Sequence, residues 1–238
     1  MLVLSIDTCE GFCSAAVVDV CDETGIRALA SKSENLGRGH AERLLPMIEE
    51  LLQAADKKYE NLDRIAVVAG PGTFTGLRIG LSVARGLALA LSVPAVGVSS
   101  LQALAASAKM SGTVHAILKG RGGQVFAQSF TCAEKDAFGT ACTVPLSLGK
   151  PVNEDLSRVI DDTVPQGGHW IGSGLVGAGD LGAGINPEQI SDVKAVCPIA
   201  LACVGASLNP GENPAEPSYL READAVRGKA VFEIAESR

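Results

Sequence analysis

Two clusters of residues in this chain have the types and spacing that chemistry needs. The first is Asp7-Thr8, which ends the apolar run Leu2–Ile6, with Ser14 opening the next run. A carboxylate and hydroxyls in such a turn can position a metal-bound water and a phosphate, and they equally satisfy the backbone groups of an ordinary turn. The second is Gly70-Pro71-Gly72, entered from Ile65–Ala69 and left through an apolar helix pattern running from Thr75 to about Leu91. Strand, glycine turn and helix leave backbone N–H groups pointing into the turn, an arrangement that binds anions. The lysine of a Gly-x-x-x-x-Gly-Lys-Ser/Thr phosphate loop is missing. Asp7, Thr8, Ser14, Gly70 and Gly72 form the candidate nucleotide-binding set.

Other motifs carry less. His40 has Leu44 where a His-x-x-x-His metal pair needs its second ligand, and His115 and His169 stand alone, so spacing assembles no metal site. Gly172-Ser-Gly174-Leu-Val-Gly177, with Asp192 downstream, matches a dinucleotide fingerprint, but the glycine-rich residues after it cannot begin the required helix. Ser99 and Ser100 lack the second glycine of a nucleophile elbow. None of the seven cysteines forms a Cys-x-x-Cys pair, which fits buried reduced thiols.

The elements that position these residues follow from periodicity. Strands are expected at 2–6, 14–20 and 26–31, then a helix over 40–55, a strand at 65–69, the helix 75–91 and a strand at 93–98. Helix 40–55 carries Pro46, which predicts a kinked or non-helical first turn. A second α/β segment has a helix at 100–109, strands at 114–118, 124–129 and 169–172, and a buried helix at 197–208. Asn209–Pro214 reads as a linker, and 219–237 as an amphipathic tail helix. Hairpins followed by alternating strand and helix imply a mixed sheet covered by helices. Helix 75–91 is apolar over most of its circumference, with Arg78, Ser82, Arg85 and Leu89 on one narrow side. Gly76, Gly80, Ala84 and Ala88 form a rail of small side chains that lets another backbone approach. An apolar arc this wide must be covered on more than one side.

Bulk properties set limits. The chain has 238 residues, 47% hydrophobic and only 4% aromatic, so a sizeable aliphatic core is expected. A net charge of −7 argues against independent binding to a nucleic-acid backbone. The N-terminus meets an acid at Asp7 and has no basic leader, and the uncharged stretch 86–108 is broken at Pro94, Gly97, Ser99 and Ser100. A cytoplasmic protein is the expectation.

Ser5-Ile-Asp7-Thr8, Gly39-His40-Ala-Glu-Arg-Leu-Leu-Pro46-Met47 and Gly70-Pro-Gly-Thr-Phe-Thr-Gly-Leu-Arg-Ile-Gly80 together resemble the TsaB family. So do Val96-Gly-Val-Ser-Ser-Leu101 and Ala215-Glu-Pro-Ser-Tyr-Leu-Arg221. The resemblance is dense over 1–105, sparse over 106–210, and returns at 215–221. It implies an α/β fold of the actin-like, sugar-kinase-like ATPase type with ribonuclease-H-like domains. The N-terminal domain would be 1–105, a reduced C-terminal domain 106–210, and a linker and tail 211–238 would return to the first. It also implies a non-catalytic subunit of the machinery that attaches threonylcarbamoyl to adenosine beside the tRNA anticodon. Its partners would be a metal-bearing TsaD-type catalytic subunit and a TsaE-type P-loop ATPase, with tRNA met only through the complex. ADP or ATP would sit at the shared interface. A separate reading is a stand-alone homodimer whose helices pair with themselves. The helix pair 40–55 and 75–91 would contact the catalytic partner. The expected contact residues are His40, Leu44, Met47, Ile48, Leu51, Gly76, Ile79, Gly80, Val83, Ala84 and Leu87. Lys119-Gly120-Arg121 departs from the family's Asp-Ala-Arg, removing a carboxylate that metal-assisted chemistry would use. The alternative is a small actin-fold ATPase or kinase using Asp7, Thr8 and the 70–78 turn.

Overall fold

The computed structural model describes residues 1–21, 25–133, 144–175 and 185–220. The tail-helix expectation falls almost wholly on residues outside this set, as do Cys142, Gly177 and Arg221; Tyr219 and Leu220 are described and are not helical.

Strands β1 (Leu2–Asp7), β2 (Phe12–Cys21) and β3 (Gly25–Asn35) form an antiparallel meander. Helix α1 (His40–Ala54) leads to β4 (Arg64–Gly70), and α2 (Phe74–Leu91) leads to β5 (Ala95–Ser99). The first sheet has the order β3-β2-β1-β4-β5, with β4 and β5 parallel to β1. Helix α3 (Ser100–Ser107) follows. The second sheet comprises β6 (Gly112–Lys119), β7 (Gln124–Cys132), β8 (Leu146–Ser147), β9 (Val152–Asp155) and β10 (His169–Ile171). It runs β10-β6-β7-β8, with β9 also paired to β7. Helix α4 (Leu156–Thr163) lies between β9 and β10, and α5 (Pro198–Ser207) closes the helical set. The stretch 130–168 carries short elements that hydrophobic periodicity did not reveal. Strands of two and four residues are too brief to establish a period of two.

Register fixes which helix lies on which face. Ile6 pairs with Val67, and Ser5 with Ala66, so the two pairs point to opposite sides of the sheet. On the Ile6 side, α2 approaches so closely that a Cβ on Gly76 would lie within 2.0 Å of the Thr8 carbonyl oxygen. One on Gly80 would lie 2.7 Å from Thr8 Oγ1 and 3.6 Å from Ile6 and Val67. The small-residue rail therefore serves the chain's own sheet. Helix α1 packs beside α2, on β2 and β3. On the Ser5 side lies α5, with the Ser5 hydroxyl donating to the Pro198 carbonyl at 2.6 Å. The Arg64 guanidinium caps the C-terminal end of α5 through the carbonyls of Gly205, Ala206 and Leu208 at 2.7–2.9 Å. Thus a helix that follows the second sheet in sequence packs on the first.

The chain then returns across the first sheet. Asn213 accepts from the Gly97 N–H at 3.0 Å, and Ser218 donates its N–H to the Ala69 carbonyl at 2.7 Å. The linker reading of 209–214 accordingly gives way, beyond Leu208, to a strap that pairs with β5. Pro46 does not interrupt α1, which is continuous from His40 with Pro46 on its exposed side. Helix α2 is long and apolar enough to cross a membrane by length and composition alone, yet it is a layer on β1 and β4. The uncharged stretch 86–108 resolves, as its breakers predict, into the end of α2, then β5, then α3. Ser92 stops α2 in the left-handed region at φ 57°.

Gly76→Ala tests the clasp of α2 on β1. Because the obstacle is backbone, the expected loss is at least ~2 kcal/mol of unfolding free energy by denaturant titration. The same change at exposed Gly86, where a Cβ meets nothing within 4 Å, should stabilise the helix slightly.

Candidate partner-binding surface and the Gly-Pro-Gly corner

Asp7, Thr8, Gly70 and Gly72 do meet at one corner, where Asp7 and Thr8 bond within the chain. Asp7 Oδ1 accepts the Cys9 N–H at 2.9 Å, and the Thr8 hydroxyl donates to the Gly76 carbonyl at 2.7 Å. The Thr73 N–H, at the mouth of α2, donates to the Cys9 carbonyl at 2.8 Å. A Cβ on Gly72 would sit 2.7 Å from Cys9 Cβ, and one on Gly70 2.7 Å from the Ser218 carbonyl oxygen. The glycines admit the hairpin on one side and the strap on the other. Ser14 lies opposite Asp7 in the β1–β2 register and shares a 2.7 Å hydroxyl–hydroxyl bond with Ser33. These residues do not fit a nucleotide as they stand, since hairpin and strap occupy the space a phosphate would need.

Electrostatics agree. Burial holds Asp7 above the ordinary carboxylate range, against the bonds from Cys9 and the attraction of His40. Burial, followed by repulsion from Asp7, pushes the Cys9 thiol far up, so it is no nucleophile. Glu10, raised by burial, accepts from the Ser173 hydroxyl at 2.8 Å, and Ser173 Oγ accepts the Lys119 N–H at 3.0 Å. This contact ties the first hairpin to the second sheet. His115 is buried in the second sheet's core, stacked on Trp170 and bonded to Ser129 and Gly167, far in role from any site. His40 is buried with Nε2 lacking a hydrogen-bond partner. Among the described residues no three His, Cys, Asp or Glu side chains gather to hold a metal ion.

The exposed surface of the helix pair is a different matter. The expected contact residues all lie on this helix pair, and most of them are buried. His40, Leu44, Met47, Ile48 and Leu51 are buried under α1, and Gly76, Gly80 and Ala84 under α2. They form the chain's own core and cannot touch a partner. Helical periodicity marks the whole apolar arc and is blind to which part the chain's own sheet covers. Ile79, Val83 and Leu87 remain half-exposed. With Ala41, Phe74, Thr75, Arg78 and Ser82, Ile79 and Val83 line an open groove of about 520 Å³ between the helices. The same two helices expose large apolar side chains: Leu45 is 43% exposed, Phe74 48% and Leu89 84%. Phe74, Leu45 and Ala41 were outside the expected contact set, as was Ser82, which the sequence had placed only on the polar side of the helix. Their signal was their place at the edge of the apolar arcs.

Comparison with known proteins places this geometry. The sequence profile of the family described as tRNA N6-adenosine threonylcarbamoyltransferase, of the TsaD type, matches residues 31–156, more than half of the chain. The Escherichia coli tRNA threonylcarbamoyladenosine biosynthesis protein TsaB is 29% identical over 226 residues, covering 93% of this chain and 95% of that one. A Bacillus subtilis protein of the same description is 35% identical over 127 residues, 53% of each chain. The solved structure of YeaZ from Pseudomonas aeruginosa superposes with a TM-score of 0.73 at 29% identity, over 92% of this chain and 99% of that one. The fold is thus the actin-like α/β type.

The buried carboxyl makes a prediction of definite sign. A proton held more tightly in the folded chain stabilises the fold below the ordinary value of 3.8, and that contribution is lost as pH rises through the raised folded value. Asp7→Asn keeps the acceptor for Cys9. It is expected to melt above the parent at neutral pH, with the gap narrowing as pH is lowered towards about 4. A gap that does not change with pH would contradict the buried-carboxylate assignment.

Proposed function

The chain belongs to the tRNA N6-adenosine threonylcarbamoyltransferase family as a TsaB member, and from that premise we propose that it is a non-catalytic activating subunit in threonylcarbamoyladenosine synthesis. The observation that carries this reading is the exposed apolar groove between α1 and α2, standing beside a corner whose reactive groups are already bonded within the chain. The partner is the TsaD-type catalytic subunit, which the family relationship itself points to. Docking on α1 and α2 favours the partner's active arrangement by differential binding, the only way one protein can shift another's equilibrium.

The remaining assignments follow the same logic. A TsaE-type ATPase joins the pair, tRNA is met through the complex, and ADP or ATP is held where subunits meet. The acidic balance of −7 supports leaving the phosphate contacts to the partners. The same groove would bring two copies together when no partner is present. The N-terminal unit 1–105 is the part that docks, with 106–210 as the reduced second unit. Action by this chain as an ATPase or kinase is disfavoured, because Asp7 Oδ1 and the Thr8 hydroxyl are already bonded to Cys9 and Gly76 within the chain.

Reconstitution of tRNA modification tests the reading. Ser82 is exposed and lines the groove, so Ser82→Arg fills it without disturbing the core. The variant is expected to melt like the parent while modification by the catalytic subunit falls at least about tenfold, as loss of a central contact does. Unchanged stimulation by Ser82→Arg would remove the groove from the interface.

A further inference from the structure

At the N-terminal end of α2 the strap delivers a second aromatic ring to the surface. Tyr219 stacks on Phe74 with centroids 5.6 Å apart and planes 29° from parallel. The Arg78 guanidinium lies over the other part of this cluster, 3.7 Å from the Phe74 ring centre, with Nε donating to the Tyr219 hydroxyl at 3.4 Å. Both rings are about half exposed, at 48% and 46%, which is unusual in a chain only 4% aromatic. The cluster stands at the mouth of the groove, because Phe74 and Arg78 are two of its walls.

Charge says what this arrangement is for. Helix α2 carries two arginines and no acidic residue, although the chain as a whole is acidic. Among the described residues neither Arg78 nor Arg85 pairs with a carboxylate, whereas nearby Arg43 is bonded to both Glu34 and Glu50. The two lie seven residues apart, two turns or about 10 Å along one face. An arginine stacked on aromatic rings keeps its fork of N–H donors free for a carboxylate while its stem is immobilised. Aromatic and arginine anchors of this kind carry a large share of interface energy.

We propose that Tyr219 is a positioning residue of the docking surface, holding Arg78 against Phe74 so that the guanidinium meets a carboxylate on the partner. The occupant is a helix of the catalytic relative with an acidic side chain flanked by apolar ones, which the groove walls Ala41, Ile79 and Val83 receive. The inference rests on the α1–α2 surface being the docking site, and it adds that the strap near residue 219 helps to build that surface. The strap is thereby tied to docking: Ser218, next to Tyr219, is hydrogen-bonded to Ala69 beside the Gly-Pro-Gly corner.

The test is titration of the full chain against the catalytic subunit at low and high salt, with Tyr219→Ala, Tyr219→Phe, Arg78→Ala, the Tyr219→Ala/Arg78→Ala pair and Ser82→Arg. Tyr219→Ala is expected to weaken binding about tenfold and to flatten its salt dependence, with the melting temperature kept. Tyr219→Phe, which keeps the stack, should lose no more than about threefold. The pair should bind no more weakly than Arg78→Ala alone, because the tyrosine acts through the arginine. If Tyr219→Ala binds within twofold of the parent with the same salt dependence while Ser82→Arg fails to bind, the Tyr219 proposal is overturned and the docking surface stands. If Ser82→Arg also binds normally, the docking surface itself falls.

Discussion

The fit of α2 against β1 is the constraint from which the rest of this structure follows. Gly76 and Gly80 allow the helix axis to settle onto Thr8, whose hydroxyl bonds back to the Gly76 carbonyl. That contact decides which third of α2 is covered, and so which side faces outward with Arg78, Ser82 and Leu89. It also fills the corner where hairpin, glycine turn and helix converge. In other strand–turn–helix proteins that corner holds an anion. Here the Cys9 carbonyl takes the Thr73 N–H, and the strap closes the turn from behind. One packing contact thus fills that corner and leaves an apolar helix face uncovered.

Much of the fold was legible in the sequence where periodicity is long. The meander, α1, β4, α2 and β5 were marked by runs of five to eighteen residues with clear faces, and α2 ends at Leu91, where expected, ahead of the breaker Pro94. Between 130 and 168 the elements are too short to declare a period. Pro46 was a harder case: proline in a helix forgoes one backbone bond, and in α1 both Pro46 and Glu42, whose carbonyl loses that donor, are exposed residues. The strap was read as a linker from its prolines and glycine, since composition reports the absence of helix and not the presence of an edge to pair with.

The candidate site was legible in location and illegible in detail. A helix with a broad apolar arc announces that something covers it, but cannot say which degrees of the arc belong to its own sheet. The glycine rail looked like a partner's path because small residues permit close approach by any backbone. The one that approaches is Thr8. Tyr219 and Phe74 lie 145 residues apart in sequence and no local pattern joins them; only the strap's pairing with β5 and β4 brings the rings together.

In the proposed function, the outer face of α1 and α2 is the surface that meets the catalytic subunit. Methyl resonances of the chain, recorded alone and with the unlabelled catalytic subunit, examine that face directly. The expected result is perturbation of Ile79, Val83, Leu87, Leu89 and Leu45 methyls, with Leu146 and Val152 on the far sheet edge unchanged. Perturbation centred on Leu146 and Val152, with the α2 methyls unmoved, would contradict it.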